Sequence, residues 1–180
     1  YLWLLFTLTA NVWPAEKSLY LDGSTYVDCG SDSSLDFANQ ITISCWVKPM
    51  GSSIPAEAMI VTRTNGSQTD WRFMAKVYAN GNGEKWGFRP VPAGAEPAAQ
   101  TTLSLNNWYH LAVTYDKNST SDNIKFYLNG QPDGTADDTR PLTNGHPLKI
   151  GRGIGGAQAY FEGLVDDVAI WSSPLSASQI

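Results

Sequence analysis

In the stretch NNWYHLAVTYDKNSTSDNIKFYLNGQPDG, residues 106–134, two runs rich in aromatic and β-branched residues, Trp108 to Tyr115 and Ile124 to Leu128, flank a polar loop. Asn129-Gly130 follows the second run and is a strong tight-turn signal, because both residues tolerate the left-handed backbone that a two-residue hairpin requires. Strand, loop, strand and turn is therefore the local reading. The same grammar extends outward in both directions. ITISCWVKP, residues 41–49, alternates Ile41, Ile43, Cys45 and Val47 on one face with Thr42, Ser44 and Trp46 on the other, and Pro49 closes the run. SLYLDGSTYVDCG, residues 18–30, reads as two short strands around Asp22-Gly23, and residues 58–91 read as three strands punctuated by Asn65-Gly66 and Gly81-Asn82-Gly83. PLKIGR and the run from 163 to 171 complete the pattern. No stretch sustains a period of 3.6, so the prediction is an all-β, two-sheet antiparallel β-sandwich. One short helix is expected at the end, where Ser176 and Gln179 form a capping box.

The chain has 180 residues, the size of one all-β domain with a substantial core. Charged residues make up 16% and the net charge is −5, with twelve Asp against five Glu. Asp favours turns, which places much of the acidity at strand ends, where hard cations bind. With no basic run and a field that repels phosphates, nucleic acid is excluded as an expected partner.

Residues 1–15, YLWLLFTLTANVWPA, are apolar and uncharged, unlike the rest of the chain. They read as the remnant of a secretory signal peptide, with the domain spanning 16–180; the alternative is an N-terminal strand packed on the sandwich. Asn11 and Pro14 interrupt the run too early for a membrane span. Export would suit a disulfide between Cys29 and Cys45, and two buried free thiols are the other reading. With two Cys and the distant His110 and His146, no zinc or nucleophile spacing is present.

FEGLVDDVAIW, residues 161–171, sets two carboxylates in an apolar run. Regular strand alternation puts Leu164, Asp166, Val168 and Ile170 on one face and Val165, Asp167, Ala169 and Trp171 on the other, so Asp166 is expected to point where the aliphatics point. A carboxylate there needs a hydrogen-bond, ionic or metal partner.

The order of SLYLDGSTYVD, ITISCWVKP, WYHLAVTYD, KFYLNGQ, PLKIGR and YFEGLVDDVAIWSSPLSASQI resembles the laminin-G-like jelly-roll family of the concanavalin A-like lectin/glucanase superfamily, from about Leu19 to Ile180 and least well between 50 and 100. The closing block resembles F-x-G-x-I-D-D-V-R-I-Y-x-R-x-L-S-x-x-E-I, departing at Val165, Ala169, Trp171, Ser173 and Gln179. The resemblance implies a structural calcium ion at the sandwich rim, with Asp166 and the Asp22-Gly23 turn as its place and Asp28 as a further ligand. This converges with the need of Asp166 for a partner, since calcium takes six to eight oxygens and Gly-flanked turns free their carbonyls. The alternative is that Asp166 caps backbone N–H groups of a neighbouring loop.

Relatives on this fold include hydrolases, but adjacent Asp166 and Asp167 on opposite strand faces cannot supply the facing carboxyl pair of a glycosidase. The superfamily's glucanases resemble one another in an E-x-D-x-x-E motif, which none of Glu57, Glu84, Glu96 or Glu162 occupies. Order alone leaves a Ser-His-Asp triad open. The expectation is a non-catalytic carbohydrate-binding or adhesion module of a secreted or cell-surface protein, binding a polysaccharide or glycan. Alternatives are a protein-protein interaction module, or a glycoside hydrolase or lyase on the same fold. Sugar binding needs aromatic faces and planar polar groups. Trp71 and Trp86, with Arg72 and Arg89, are the candidates, the other reading being that these Trp rings fill the sandwich. Two sequons, Asn65-Gly66-Ser67 and Asn118-Ser119-Thr120, fall in expected loops.

Overall fold

A computed structural model describes residues 17–76, 85–90, 96–154 and 160–180; the signal-like residues 1–15 and the Gly81-Asn82-Gly83 turn lie outside them. The described chain forms β1 (Leu19–Asp22), β2 (Val27–Asp28), β3 (Gln40–Pro49), β4 (Met59–Thr64), β5 (Thr69–Met74), β6 (Lys85–Arg89), β7 (Ala98–Thr102), β8 (Tyr109–Asp116), β9 (Ile124–Leu128), β10 (Gln131–Ala136), β11 (Leu148–Ile150) and β12 (Glu162–Trp171). The first sheet has the order β1-β12-β3-β8-β9-β10 and the second β2-β11-β4-β5-β6-β7. Every strand pair in them is antiparallel. This is the sandwich that the alternating runs predict, with the jelly-roll form that the family resemblance implies. β9 and β10 join at Asn129 and Gly130, with φ of 51° and 76°, as the hairpin signal requires.

Between the sheets, Ile41, Ile43, Cys45 and Val47 of β3 and Leu111, Val113 and Tyr115 of β8 meet Val61, Trp71, Phe73, Trp86 and Phe88 of the opposing sheet in one core. Aromatic edges and faces interlock there: Trp86 lies T-shaped against Phe126 at 5.2 Å and against Phe73 at 6.0 Å. Such pairs add about 0.5–1.5 kcal/mol each beyond area burial. The strands around Asp22-Gly23 do not pair with each other; β1 joins the first sheet and β2 the second, so the turn is a sheet crossover.

β12 departs from regular alternation. Its register against β3 shifts between Asp166 and Ala169, and Asp167 adopts φ 47°. Val165 is buried in the core, and beyond the bulge Val168 and Ile170 pack against it. Asp166 pairs with Trp46, whose neighbours Cys45 and Val47 are core residues, so Asp166 faces outward. The expectation that Asp166 shares the aliphatic face is thereby corrected: one extra residue reverses the alternation. Gly163 has its own reason, since a Cβ there would lie 2.2 Å from the Lys48 carbonyl oxygen. The expected C-terminal helix is a single turn, in which Gln179 N–H donates to Ser176 O at 2.9 Å while Ser176 N–H and hydroxyl donate to Gln179 Oε1 at 2.9 and 2.8 Å. The capping-box residues do meet.

Asp167→Gly should leave stability unchanged or raise it, whereas Asp167→Val, with a β-branched side chain at positive φ, should cost about 1–2 kcal/mol. Urea midpoints ranking Val above Gly would contradict the bulge.

Candidate functional site

The second sheet is unusual in that all six residues of β4 and all six of β5 are buried, on the outer face as well as the inner one. With Trp71, Phe73 and Phe88 in the core, Arg72 and Arg89 fall on the outer face, directly opposite each other across the β5–β6 pair. Each guanidinium is held by a carboxylate: Arg72 Nη1 lies 2.7 Å from Glu57 Oε1 and Arg89 Nη1 lies 2.6 Å from Glu96 Oε1. Arg72 Nε also donates to Thr69 Oγ1 at 3.2 Å. Burial, followed by the like charge of Arg89, lowers the Arg72 pKa, and Glu57 opposes that shift. Glu57 reaches its position with φ 59°, a conformation a non-glycine residue adopts at a cost.

Next to Arg72, a groove of about 400 Å³ is lined by Ser67, Gln68, Thr69, Asp70, Arg72, Thr143, His146 and Ile154. Asp70 is engaged on both oxygens, accepting the His146 N–H at Oδ2 (2.9 Å) and contacting His146 Nδ1 through Oδ1 (3.0 Å). Arg63 braces the floor, with Nε donating to His146 O at 2.8 Å and Nη1 pairing with Asp36 at 2.6 Å. Planar donors and acceptors whose orientations are fixed by neighbours thus line the groove, Asp70 and Arg72 almost wholly buried at 5% and 3% and Ser67 and Gln68 exposed. A second cavity of about 460 Å³ lies on the outer face of the first sheet, walled by residues of the C-terminal segment and by Thr114, Lys125 and Tyr127. Its carboxylates are already turn ligands: Asp116 Oδ1 accepts the Asn118 N–H at 2.9 Å and Asp122 Oδ1 the Thr135 hydroxyl at 2.6 Å.

Of the residues the sequence singles out for sugar, Arg72 lines the groove and Arg89 stands beside it. Trp71 and Trp86 do not contribute surfaces. Both are 0% exposed, and Trp86 Nε1 donates to Asp133 Oδ2 at 2.8 Å inside the core. The reading that these rings fill the sandwich is correct, because β5 and β6 alternate from Trp71 and Trp86 inward to Arg72 outward. The Asp70–His146 pair leaves no mark in the sequence, its members lying 76 residues apart. Only the crossover between the sheets brings them together.

Cys29 and Cys45 are both free, Cys29 exposed and Cys45 buried. The expected disulfide is therefore absent: Cys45 points into the core from the first sheet, while Cys29 follows β2 in the second. Burial raises the pKa of both thiols.

The three expected calcium ligands are not gathered into one site. Asp22 Oδ1 accepts the N–H and hydroxyl of both Ser24 and Thr25 at 2.8–2.9 Å. Those bonds, the Ser24 hydroxyl foremost, hold its carboxyl at about 2. Asp28 accepts the Gly30 N–H at 2.9 Å and lies 3.5 Å from Lys149 Nζ. Asp166 accepts the Asp167 N–H at 2.9 Å through Oδ1, while Oδ2 is buried without a hydrogen-bond partner. Among the described residues no three His, Cys, Asp or Glu side chains form a group that could hold an ion. The trio does not form a calcium site: Asp22 Oδ1 and both oxygens of Asp28 already have protein partners, Asp166 faces outward beside the buried Val165, and the three carboxylates do not meet as a group.

A laminin-G family model, described as the concanavalin A-like lectin/glucanases superfamily, matches residues 21–180. The chain belongs to this family. Among solved structures the laminin-G-like domain is similar to domain 4 of an extracellular arabinanase from Geobacillus stearothermophilus in complex with arabinotriose, at 18% identity and TM-score 0.69 over 90% of this chain and 73% of that one. It is also similar to the CBM40 of the Ruminococcus gnavus IT-sialidase bound to α2,3-sialyllactose, at 16% identity and TM-score 0.66 over 91% and 94%. A heptameric pentraxin from Limulus polyphemus matches at 18% identity and TM-score 0.60 over 86% and 78%. At these identities the likeness is one of fold. No curated protein matches the chain. No helix among the described residues is long and apolar enough to cross a membrane.

Two measurements check these placements. Trp71→Ala or Trp86→Ala should each cost about 3–5 kcal/mol in urea denaturation, as expected for emptied core sites; a near-neutral result would return these rings to the surface. Without reductant, a thiol reagent should label Cys29 in the native laminin-G-like domain and Cys45 only after unfolding, and protection of both in the unfolded chain would demonstrate the bridge.

Proposed function

We propose that this laminin-G-like domain is a non-catalytic carbohydrate-binding module of a secreted or cell-surface protein, and that its site is the groove over the outer face of the second sheet. The observation that carries the reading is the set of braced planar polar groups at the groove: Arg72 held by Glu57 and Thr69, and Asp70 held on both oxygens by His146. Sugar hydroxyls both donate and accept, so charged and polar groups of both kinds suit them, and fixing those groups in advance limits the entropy lost on binding. Structures of related fold that hold arabinotriose and sialyllactose support the ligand class, and the extracellular arabinanase supports export.

Binding rather than hydrolysis follows from the same contacts. A glycosidase needs one carboxyl proton to give and one free carboxylate, set about 5–9.5 Å apart. Here Asp70 is engaged by His146 and Glu57 by Arg72, so neither turns an uncommitted oxygen pair toward the groove.

The experiment is retention on a panel of immobilised polysaccharides. Gln68→Ala and His146→Ala should each weaken retention about tenfold, the loss expected from one or two hydrogen bonds; the exposed Gln68 variant should melt close to the parent, while His146→Ala, which strips the buried Asp70 of a partner, should also cost about 1–3 kcal/mol. Trp171→Ala, on the exposed end of β12, should bind as the parent does. Unchanged retention in both groove variants would move the site elsewhere, and release of reducing ends during incubation would replace binding with catalysis.

A further inference from the structure

Beyond the groove floor, the segment after β11 carries a guanidinium that the ion-pair network leaves out. Arg152 is fixed at both ends: its carbonyl accepts the Thr62 hydroxyl at 2.5 Å, and its backbone bridges Tyr160. Its guanidinium carbon lies 4.7 Å from the ring centre of Tyr26 and 5.5 Å from that of Tyr160, against two tyrosines whose centres are 6.3 Å apart. These rings hold the side chain in place by cation-π attraction. They do not neutralise it. Arg63, Arg72, Arg89 and Lys149 are each paired with a carboxylate, namely Asp36, Glu57, Glu96 and Asp28. Arg152 has no carboxylate within ion-pair distance among the described residues.

Its position is the second part of the argument. A Cβ built on Gly66 would lie 2.9 Å from Arg152 Nη2, so the guanidinium rests against the backbone of the β4–β5 turn. The next two residues of that turn, Ser67 and Gln68, line the groove, as does Ile154, two residues after Arg152. An immobilised fork of N–H donors with no carboxylate partner among the described residues therefore stands beside the groove, in a protein whose net charge of −5 otherwise repels anions.

We propose that Arg152 receives an oxyanion carried by the bound sugar, which makes the ligand an acidic glycan. This rests on the proposed sugar-binding role of the groove. A planar guanidinium matches a carboxylate or a sulfate through two parallel N–H···O bonds, and because the two tyrosines already restrict its rotamers, little freedom is lost on binding. The paired groups of the groove read hydroxyls, and Arg152 supplies an uncompensated charge.

The test uses the full chain and two matched polymer pairs, polygalacturonate with its carboxyl-reduced form and dextran sulfate with dextran, in affinity electrophoresis at low and high salt. The parent should bind the acidic member of one pair at least tenfold more tightly, with the preference falling as salt rises; the pair that shows it identifies carboxylate or sulfate as the group read. Arg152→Gln should abolish the preference and keep binding to the neutral member. Arg152→Lys, which keeps a cation against the tyrosines but lacks the fork, should retain only part of it and covers the case in which Arg152→Gln fails to fold. Equal binding of both members by the parent, or a preference that survives in Arg152→Gln or is undiminished in Arg152→Lys, overturns the role of Arg152 and leaves the groove reading standing. A parent that retains none of the four polymers overturns both.

Discussion

The pairing of β12 with β3 closes this sandwich, and the rest of the arrangement follows from it. β12 lies between β1 and β3, so the last strand of the domain is hydrogen-bonded to its first and third. The two backbones come close at Gly163, where any side chain would collide with the Lys48 carbonyl. Further along, the bulge at Asp166 and Asp167 keeps Val165, Val168 and Ile170 all against the core, which a regular strand could not do. With β1 anchored in the first sheet, the chain crosses at Asp22-Gly23 to place β2 beside β11 in the second. That crossing sets Tyr26 against Lys149 and Arg152.

The outer face of the second sheet carries an arrangement that stability alone does not explain. Two arginines face each other across a strand pair, where like charges are unfavourable, and each is compensated by a glutamate. Buried ion pairs of this kind contribute little net stability compared with apolar side chains of the same volume, although breaking one is costly. Glu57 adds a left-handed backbone, and Glu96 Oε2 is buried without a hydrogen-bond partner. Such unfavourable local features cluster at functional sites, which supports the proposed role of the groove.

The two outer faces are used differently. On the first sheet the C-terminal segment crosses the strands and is pinned at Thr42, whose hydroxyl donates to Ser173 O at 2.7 Å and accepts the Leu175 N–H at 2.9 Å. On the second sheet the groove lies beside Thr69, Asp70 and Arg72. The exposed Trp171, at 39%, lies at the end of β12 and takes no part in that groove.

The all-β class, most strand positions, the hairpin at Asn129-Gly130 and the family were legible in the sequence, because alternation of period two and turn-forming dipeptides are local properties that survive without knowledge of neighbours. That Arg72 lies on the face opposite its two aromatic neighbours was legible too, from alternation alone. The inward burial of Trp71 and Trp86 was not, since alternation says that two faces exist without saying which one meets the other sheet. The outward turn of Asp166 was lost to a single inserted residue that reverses parity and leaves no compositional mark. Asp70 with His146, and Arg152 against Tyr26 and Tyr160, are contacts across sheet crossovers, set by how the two sheets are stacked and joined. Only the tertiary structure could decide them, for the free energy that fixes those pairs lies in packing between segments far apart in the chain.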